Sequence, residues 1–157
     1  MFSDNITEIK HIIIDGDKKS PHIDFNHLTG DLILSGRSIP ENAAKVYEPL
    51  FFWILEYIKS PKKITNFRLN LDYFNSASTI WISKLIRALG KIEHEDSVLI
   101  IHLYFDTEDY AEMDTEDVRQ IIVSLIGNVG DLLISIGVKV YSTDSNGKIL
   151  EESTILI

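Results

Sequence analysis

The sequence predicts an α/β fold, and three observations carry that prediction. Segments of period-two apolar alternation and segments of three-and-four spacing follow one another along the chain. Val98 to Phe105 is a nearly continuous apolar run rich in β-branched residues, the pattern of a central strand buried on both faces. The strand-helix-strand order also imposes partly parallel pairing, because parallel neighbours need a long crossover. The 157 residues are read as a single domain. A chain of that length buries about 68–70% of its unfolded surface and holds a core without disulfides.

A polar, charge-mixed lead-in occupies residues 1–20. Ile23 and Phe25, then Leu32 and Leu34, alternate with polar neighbours on either side of Thr29-Gly30-Asp31, which predicts a β-hairpin. Gly36 is expected to break its second strand. Ser38-Ile39-Pro40-Glu41 then reads as a helix start, with Ser as N-cap, Pro in the first turn and Glu three residues after the cap. The helix is expected from Ile39 to Lys59, because Ala43, Val46, Tyr47, Leu50, Ile54, Tyr57 and Ile58 share one face. Pro49 lies inside it. An interior proline removes a backbone bond and costs ~3 kcal/mol, so a kink is expected between Lys45 and Pro49. Pro61 closes the segment.

From Ile64 the period becomes two, with Phe67, Leu69, Leu71 and Tyr73 opposed to Arg68, Asn70 and Asp72, a strand with one buried and one wet face. Asn75-Ser76-Ala77-Ser78 leads into a helix marked by Trp81, Leu85, Leu89 and Ile92 and ending near Glu93, with Ser76 at its start. Acidic residues from Asp106 to Asp117 precede Val118, Ile121, Ile122, Leu125 and Ile126, a third helix whose acidic start the helix dipole favours. Val129 to Ile136 can extend that helix. Val138 to Tyr141 reads as a strand, and Asp144-Ser145-Asn146-Gly147 turns the chain into Ile149-Leu150.

Composition excludes several function classes. Fifteen basic against 24 acidic residues give a net charge of −9, and that field repels phosphate backbones and anionic lipid faces. Nucleic acid is not an expected partner. The absence of cysteine removes zinc-thiolate sites, Fe–S clusters, cysteine nucleophiles and thiol redox chemistry. The N-terminal segment mixes Asp4, Glu8, Lys10 and Asp15 with the short run Ile12-Ile13-Ile14, unlike a signal peptide. No apolar run approaches the roughly 18 residues of a membrane span. A cytoplasmic protein without membrane insertion is expected.

The chemical motifs narrow the choice further. His11, His22, His27, His94 and His102 include no pair at helical ligand spacing, and His102 reads as a hydrogen-bonded strand residue. The acidic stretch lacks the glycine on which a calcium loop turns, so no metal is expected. Asn75-Ser76-Ala77-Ser78 sits on a strand-to-helix turn without the glycines of a nucleophile elbow, and Gly36-Arg37-Ser38 lacks the spacing and lysine of a phosphate-binding loop. Trp53 and Trp81 lie near apolar helix faces, where core packing is the expected role. What remains is the hydroxyl of Ser76 at a helix N-terminus. It serves as an ordinary N-cap on one reading, and on the other as a point where a phosphate is stabilised by free N–H groups and the helix dipole.

Gly36-Arg37-Ser38-Ile39-Pro40-Glu41-Asn42-Ala43, then Tyr47, Pro49-Leu50, Trp53 and Tyr57, then Leu71-Asp72-Tyr73-Phe74-Asn75-Ser76-Ala77-Ser78 closely resemble the bacterial SiaC-type regulatory phosphoproteins. Leu103-Tyr104-Phe105-Asp106, the acidic run and Met113 extend the likeness, which covers Pro21 to Asp117 and leaves residues 118–157 as a C-terminal helix and strand extension. The resemblance implies a fold similar to the STAS domains of anti-sigma-factor antagonists, a small mixed sheet with helices mainly on one face and an N-terminal hairpin. It implies a switch rather than an enzyme. On that resemblance a cognate protein kinase is expected to phosphorylate a hydroxyl, a PP2C-type phosphatase to remove the phosphate, and the unphosphorylated form to engage a downstream effector, in the type member a diguanylate cyclase.

By the same resemblance, the family's acceptor threonine falls on Ser76 and its following serine on Ala77, which leaves Ser78 and Thr79 as rival acceptors. The expected docking surface comprises Tyr73, Asn75, Ser76 and Ser78, flanked by Arg37, Ser38, Pro40, Glu41 and Asn42. No cofactor is implied. Two other readings compete: a constitutive STAS-like scaffold that has no modified form, and a small serine or metal-dependent hydrolase.

Overall fold

Strand pairing follows the order of the chain. The computed structural model describes residues 8–127 and 132–156. In it, β1 (Ile12–Ile14), β2 (His22–Asn26), β3 (Asp31–Ser38), β4 (Ile64–Phe74), β5 (Val98–Asp106), β6 (Ser135–Thr143) and β7 (Ile149–Leu156) form one sheet in the order β1-β2-β3-β4-β5-β6-β7. β1, β2 and β3 pair antiparallel, β3 to β6 run parallel, and β7 returns antiparallel to β6. The helices α1 (Ala43–Tyr57), α2 (Ser76–Leu89), α3 (Thr107–Glu112) and α4 (Thr115–Ile126) occupy the crossovers between parallel strands. Crossovers of one hand that step repeatedly in the same direction deliver their helices to the same face. Among the described residues, no helix is long and apolar enough to cross a membrane.

Alternation in the strands and periodicity in the helices meet on that face. Phe25, Leu34, Phe67, Leu69, Ile101 and Val138 from the sheet share one core with Leu50, Ile54, Ile82, Leu85, Ile86 and Ile122 from the helices. Burying each such side chain contributes about 1.5–3 kcal/mol. The opposite face carries Asp24, Arg68, Asn70, Tyr104 and Lys139, all partly or fully exposed. His102 and Tyr141 are exceptions there, 3% and 5% exposed, and His102 is hydrogen-bonded through both ring nitrogens as expected of a strand residue. Asn66 Oδ1 lies 2.8 Å from Nε2, so Nε2 carries the proton and donates. Nδ1 then accepts from the Tyr141 hydroxyl at 2.7 Å.

Several boundaries differ from the sequence expectation, each for a physical reason. Gly36 does not end the second hairpin strand. Its φ of 88° and the register shift between Gly36 and Arg37 make a bulge, through which β3 continues to Ser38. Ser38 is therefore a strand residue and not a cap. The first helix begins at Ala43, four positions later than expected, with the Asn42 side chain accepting from Lys45 N at 3.3 Å. Pro49 is accommodated within α1, on its exposed side. α2 ends at Leu89 rather than near Glu93. After the C-cap Gly90, Lys91 and Ile92 donate to Ala88 O and Leu89 O, three residues back, and the Gly90 carbonyl accepts the Leu133 N–H at 2.9 Å in place of a helical partner.

The acidic segment forms a short helix of its own, α3, before α4 starts at a capping box of Asp114 and Asp117. Part of the lead-in is also ordered, since β1 pairs with β2 and Trp53 Nε1 donates to Lys10 O. Its residues 1–7 lie outside the described residues. Of the stretch Val129 to Ile136, residues 129–131 lie outside them as well, while Ser135 and Ile136 belong to β6 and do not extend the helix.

Candidate functional site

β3 and β4 end side by side, and their parallel register brings together two segments far apart in sequence. Arg37 lies opposite Tyr73, and Ser38 opposite Phe74. The next residue, Asn75, donates its N–H to Ser38 O at 3.0 Å. The C-terminal ends of adjacent parallel strands are where α/β sheets hold their functional loops.

Asn75, not Ser76, caps α2. Its backbone is extended, and its side chain accepts from Ser78 N at 2.9 Å. Its carbonyl accepts both the Thr79 N–H at 3.0 Å and the Thr79 hydroxyl at 3.2 Å. Ser76 is thus the first residue of the helix, exposed, with no hydrogen-bond partner for its hydroxyl among the described residues. The N–H groups of Ser76 and Ala77 remain at the positive end of the helix dipole, the arrangement that favours a bound anion.

Ser78 has the opposite environment. Ser38, Tyr47 and Ser78 are fully buried, and their hydroxyls form one chain. The Ser78 hydroxyl donates to Ser38 O at 2.8 Å. The 2.8 Å contact between the two serine oxygens is therefore donated by Ser38, and the Ser38 oxygen accepts from Tyr47. Each hydroxyl donates once, and none is left unpaired. Burial holds the Tyr47 phenol above its ordinary pKa and keeps it a donor. The chain joins the end of β3, α1 and the first turn of α2.

The flanking residues sort by exposure. Tyr73 is 64% exposed, and Phe74 and Ile80 also show apolar surface beside Ser76. Asn75 is half-buried. Arg37 is exposed and makes no ion pair among the described residues. Pro40 is buried with Ser38, Glu41 is exposed and pairs with Lys19 at 2.8 Å, and Asn42 caps α1. The hydrogen bond from Lys19 holds the Glu41 carboxyl below the usual carboxylate range. Of the nine residues expected at a docking surface, six retain solvent-accessible surface, while Ser38, Pro40 and Ser78 lie beneath it.

Sequence reasoning missed Phe74 and Ile80. Ile80 had a signal, being an apolar residue four positions after Ser76 on the polar side of a helix. The Ser38–Tyr47–Ser78 chain had none, since nothing in spacing brings those three together. The acidic stretch is used locally: Asp106 accepts from Glu108 N at 2.8 Å, and Asp114 and Asp117 cap each other's backbone. Among the described residues, no three His, Asp or Glu side chains converge as a metal site would require.

The model of the SiaC family of regulatory phosphoproteins matches residues 14–126. No curated protein matches the chain. Among solved structures, apo-SiaC from Pseudomonas aeruginosa has the same fold, with a TM-score of 0.64 at 16% identity over 82% of this chain and 98% of that one. The SiaC chain solved in complex with the diguanylate cyclase SiaD of Pseudomonas aeruginosa, which it activates, gives a TM-score of 0.64 at 17% identity, over 83% of this chain and 99% of that one.

Proposed function

We propose that this chain, which belongs to the SiaC family of regulatory phosphoproteins, is a non-enzymatic partner-switching module controlled by reversible phosphorylation of Ser76. The observation that carries the reading is the Ser76 hydroxyl itself. It is exposed and unpaired among the described residues, and it stands on the first residue of α2 where β3 and β4 end. Its rivals are engaged, Ser78 inside the fold and Thr79 with the Asn75 carbonyl.

A phosphate adds a charge of about −1.5 to −2 and three acceptor oxygens. At a helix N-terminus it meets free N–H groups, so the fold tolerates it. The partner surface does not. Tyr73, Phe74 and Ile80, within four positions of Ser76 in the chain, expose apolar area that a partner covers, and desolvating a dianion against that partner is expensive. Reversing a 99:1 preference takes about 5.5 kcal/mol of differential affinity, within reach of one buried phosphate. Arg37, Glu41, Asn42, Tyr73 and Asn75 complete the docking surface, and Ser38, Pro40 and Ser78 hold it in shape.

The modifying partners in this reading are a cognate protein kinase and a PP2C-type phosphatase, and the chain works in the cytoplasm where ATP is supplied. The effector is a diguanylate cyclase, by analogy with the SiaC that activates SiaD. Residues 1–157 act as one domain, with 21–117 as its core and 118–157 as an extension.

Mass spectrometry of the intact protein and its peptides tests this, after incubation with the kinase and ATP and again after the phosphatase. The expected result is a single phosphate on the peptide containing Ser76, removed by the phosphatase. Stoichiometric phosphate on another residue, or none from a kinase shown to be active, overturns it.

A further inference from the structure

α1 and α2 pack side by side over the sheet, and a groove of about 400 Å³ runs between their outer faces. Its floor is apolar: Phe51 and Phe52 from α1, Trp81 and Ala88 from α2. Phe52 is 56% exposed, an aromatic ring presented to solvent on a helix whose other large apolar residues are mostly buried. Trp81 is fixed from beneath by stacking on Tyr47, with centroids 6.5 Å apart. The rim is basic. Lys84, Arg87 and Lys91 line it, against Glu48 as its one acid, although the chain as a whole carries −9. Lys84 Nζ lies 4.4 Å from the Trp81 ring centre, so its charge sits over the apolar floor.

The groove therefore combines an aromatic floor with a local charge opposite to that of the molecule. From Trp81 to Ala88 it follows α2 for about 10 Å, the length of two helical turns. We propose that this groove is the seat of an acidic amphipathic helix of a partner protein, with apolar side chains on Phe52 and Trp81 and carboxylates against Lys84, Arg87 and Lys91. Apolar anchors at helical spacing supply the affinity, and the basic rim selects against a basic helix. The proposal rests on the reading above that the chain acts by docking protein partners, and it adds where and with what chemistry one docks.

Five positions along a helix separate Ser76 from Trp81, an axial rise of about 7.5 Å. The acids of the bound helix lie farther along, against Lys84, Arg87 and Lys91, the nearest about 12 Å from Ser76 along the axis, so a phosphate on Ser76 is largely screened from them.

The test uses the whole protein and a fluorescein-labelled 18-residue helical peptide, with leucines at i, i+3/i+4 and i+7 spacing flanked by glutamates, and a counterpart carrying lysines in place of the glutamates. Anisotropy titration is expected to show the acidic peptide binding at least tenfold more tightly than the basic one. Lys84→Glu and Phe52→Ala, both at exposed positions, each weaken it at least fivefold with thermal unfolding unchanged. Equal binding of the two peptides, no binding of either, or insensitivity to both groove variants overturns the proposal. The phosphosite is read separately. A groove that binds no acidic peptide while Ser76 still takes phosphate removes the groove alone. Phosphate on another residue with peptide binding intact removes the Ser76 assignment alone.

Discussion

Three hydroxyls lie close together at the start of α2, and their surroundings give them different tasks. Ser76 contributes nothing to the packing, so Ser76→Ala is expected to leave stability within about 0.5 kcal/mol of the parent while abolishing phosphate incorporation by the kinase. Intact mass and a thermal melt on the same sample check both halves. Ser78→Ala inverts that pattern. It removes the acceptor of the Ser38 hydroxyl and the donor to the Ser38 carbonyl, both inside the protein. The Ser38 carbonyl keeps the Asn75 N–H, so the Ser38 hydroxyl is the buried group left without its acceptor, at a cost of about 1–3 kcal/mol. That loss is measurable as a lower urea midpoint with an unchanged slope, and Ser76 should still take phosphate. A phosphorylated residue 78 in the wild-type protein would require the first turn of α2 to open.

At the scale of elements, the two helix starts nearest the site show what local sequence encodes. Ser38-Ile39-Pro40-Glu41 satisfies the capping-box pattern, yet Ser38 pairs with Phe74 in the sheet and Glu41 reaches Lys19. The pattern is a local code, and ladder bonds made through a bulge at Gly36 outweigh it. Asn42 then takes the capping role that any Asn before an apolar-periodic run can fill. The start of α2 was legible to within one residue, because Asn75 and Ser76 are both good caps and only the backbone decides between them. Asn75 holds Ser78 N through its side chain and Thr79 through its carbonyl. Asn75→Ala is accordingly expected to cost ~1 kcal/mol in chemical denaturation. Fraying that turn should also slow phosphorylation of Ser76, because the kinase then meets a less ordered site.

At the scale of the whole molecule, the order of strands and helices from Ile23 to Ile126 was legible because each amphipathic period points to the same core. The two sheet edges were less so. β1 has only Ile12–Ile14 to mark it, and β7 reads ILEESTIL, whose central Glu-Glu-Ser-Thr hides the strand behind polar residues suited to an edge. Least legible was the helix-free face, where residues from three strands converge on His102. Burial there, then the charges of Arg68 and Lys139, lower its pKa from 6.5 to about 4. Asn66, Tyr104 and Tyr141 complete its surroundings without adding a carboxylate that would favour the imidazolium. The neutral ring is therefore the native form, and its hydrogen bonds suit only that form. An unfolded chain binds the proton at the ordinary value, so below pH 6.5 the unfolded state holds more protons and stability falls as pH falls, until the folded ring titrates near 4. Between pH 7.5 and 5.0 the loss from this one group is about 2 kcal/mol. Urea unfolding at the two pH values should show that difference, and His102→Gln, which keeps a donor and an acceptor but cannot titrate, should remove most of it. An equal pH dependence in the variant would mean that the histidine is already able to ionise within the folded sheet.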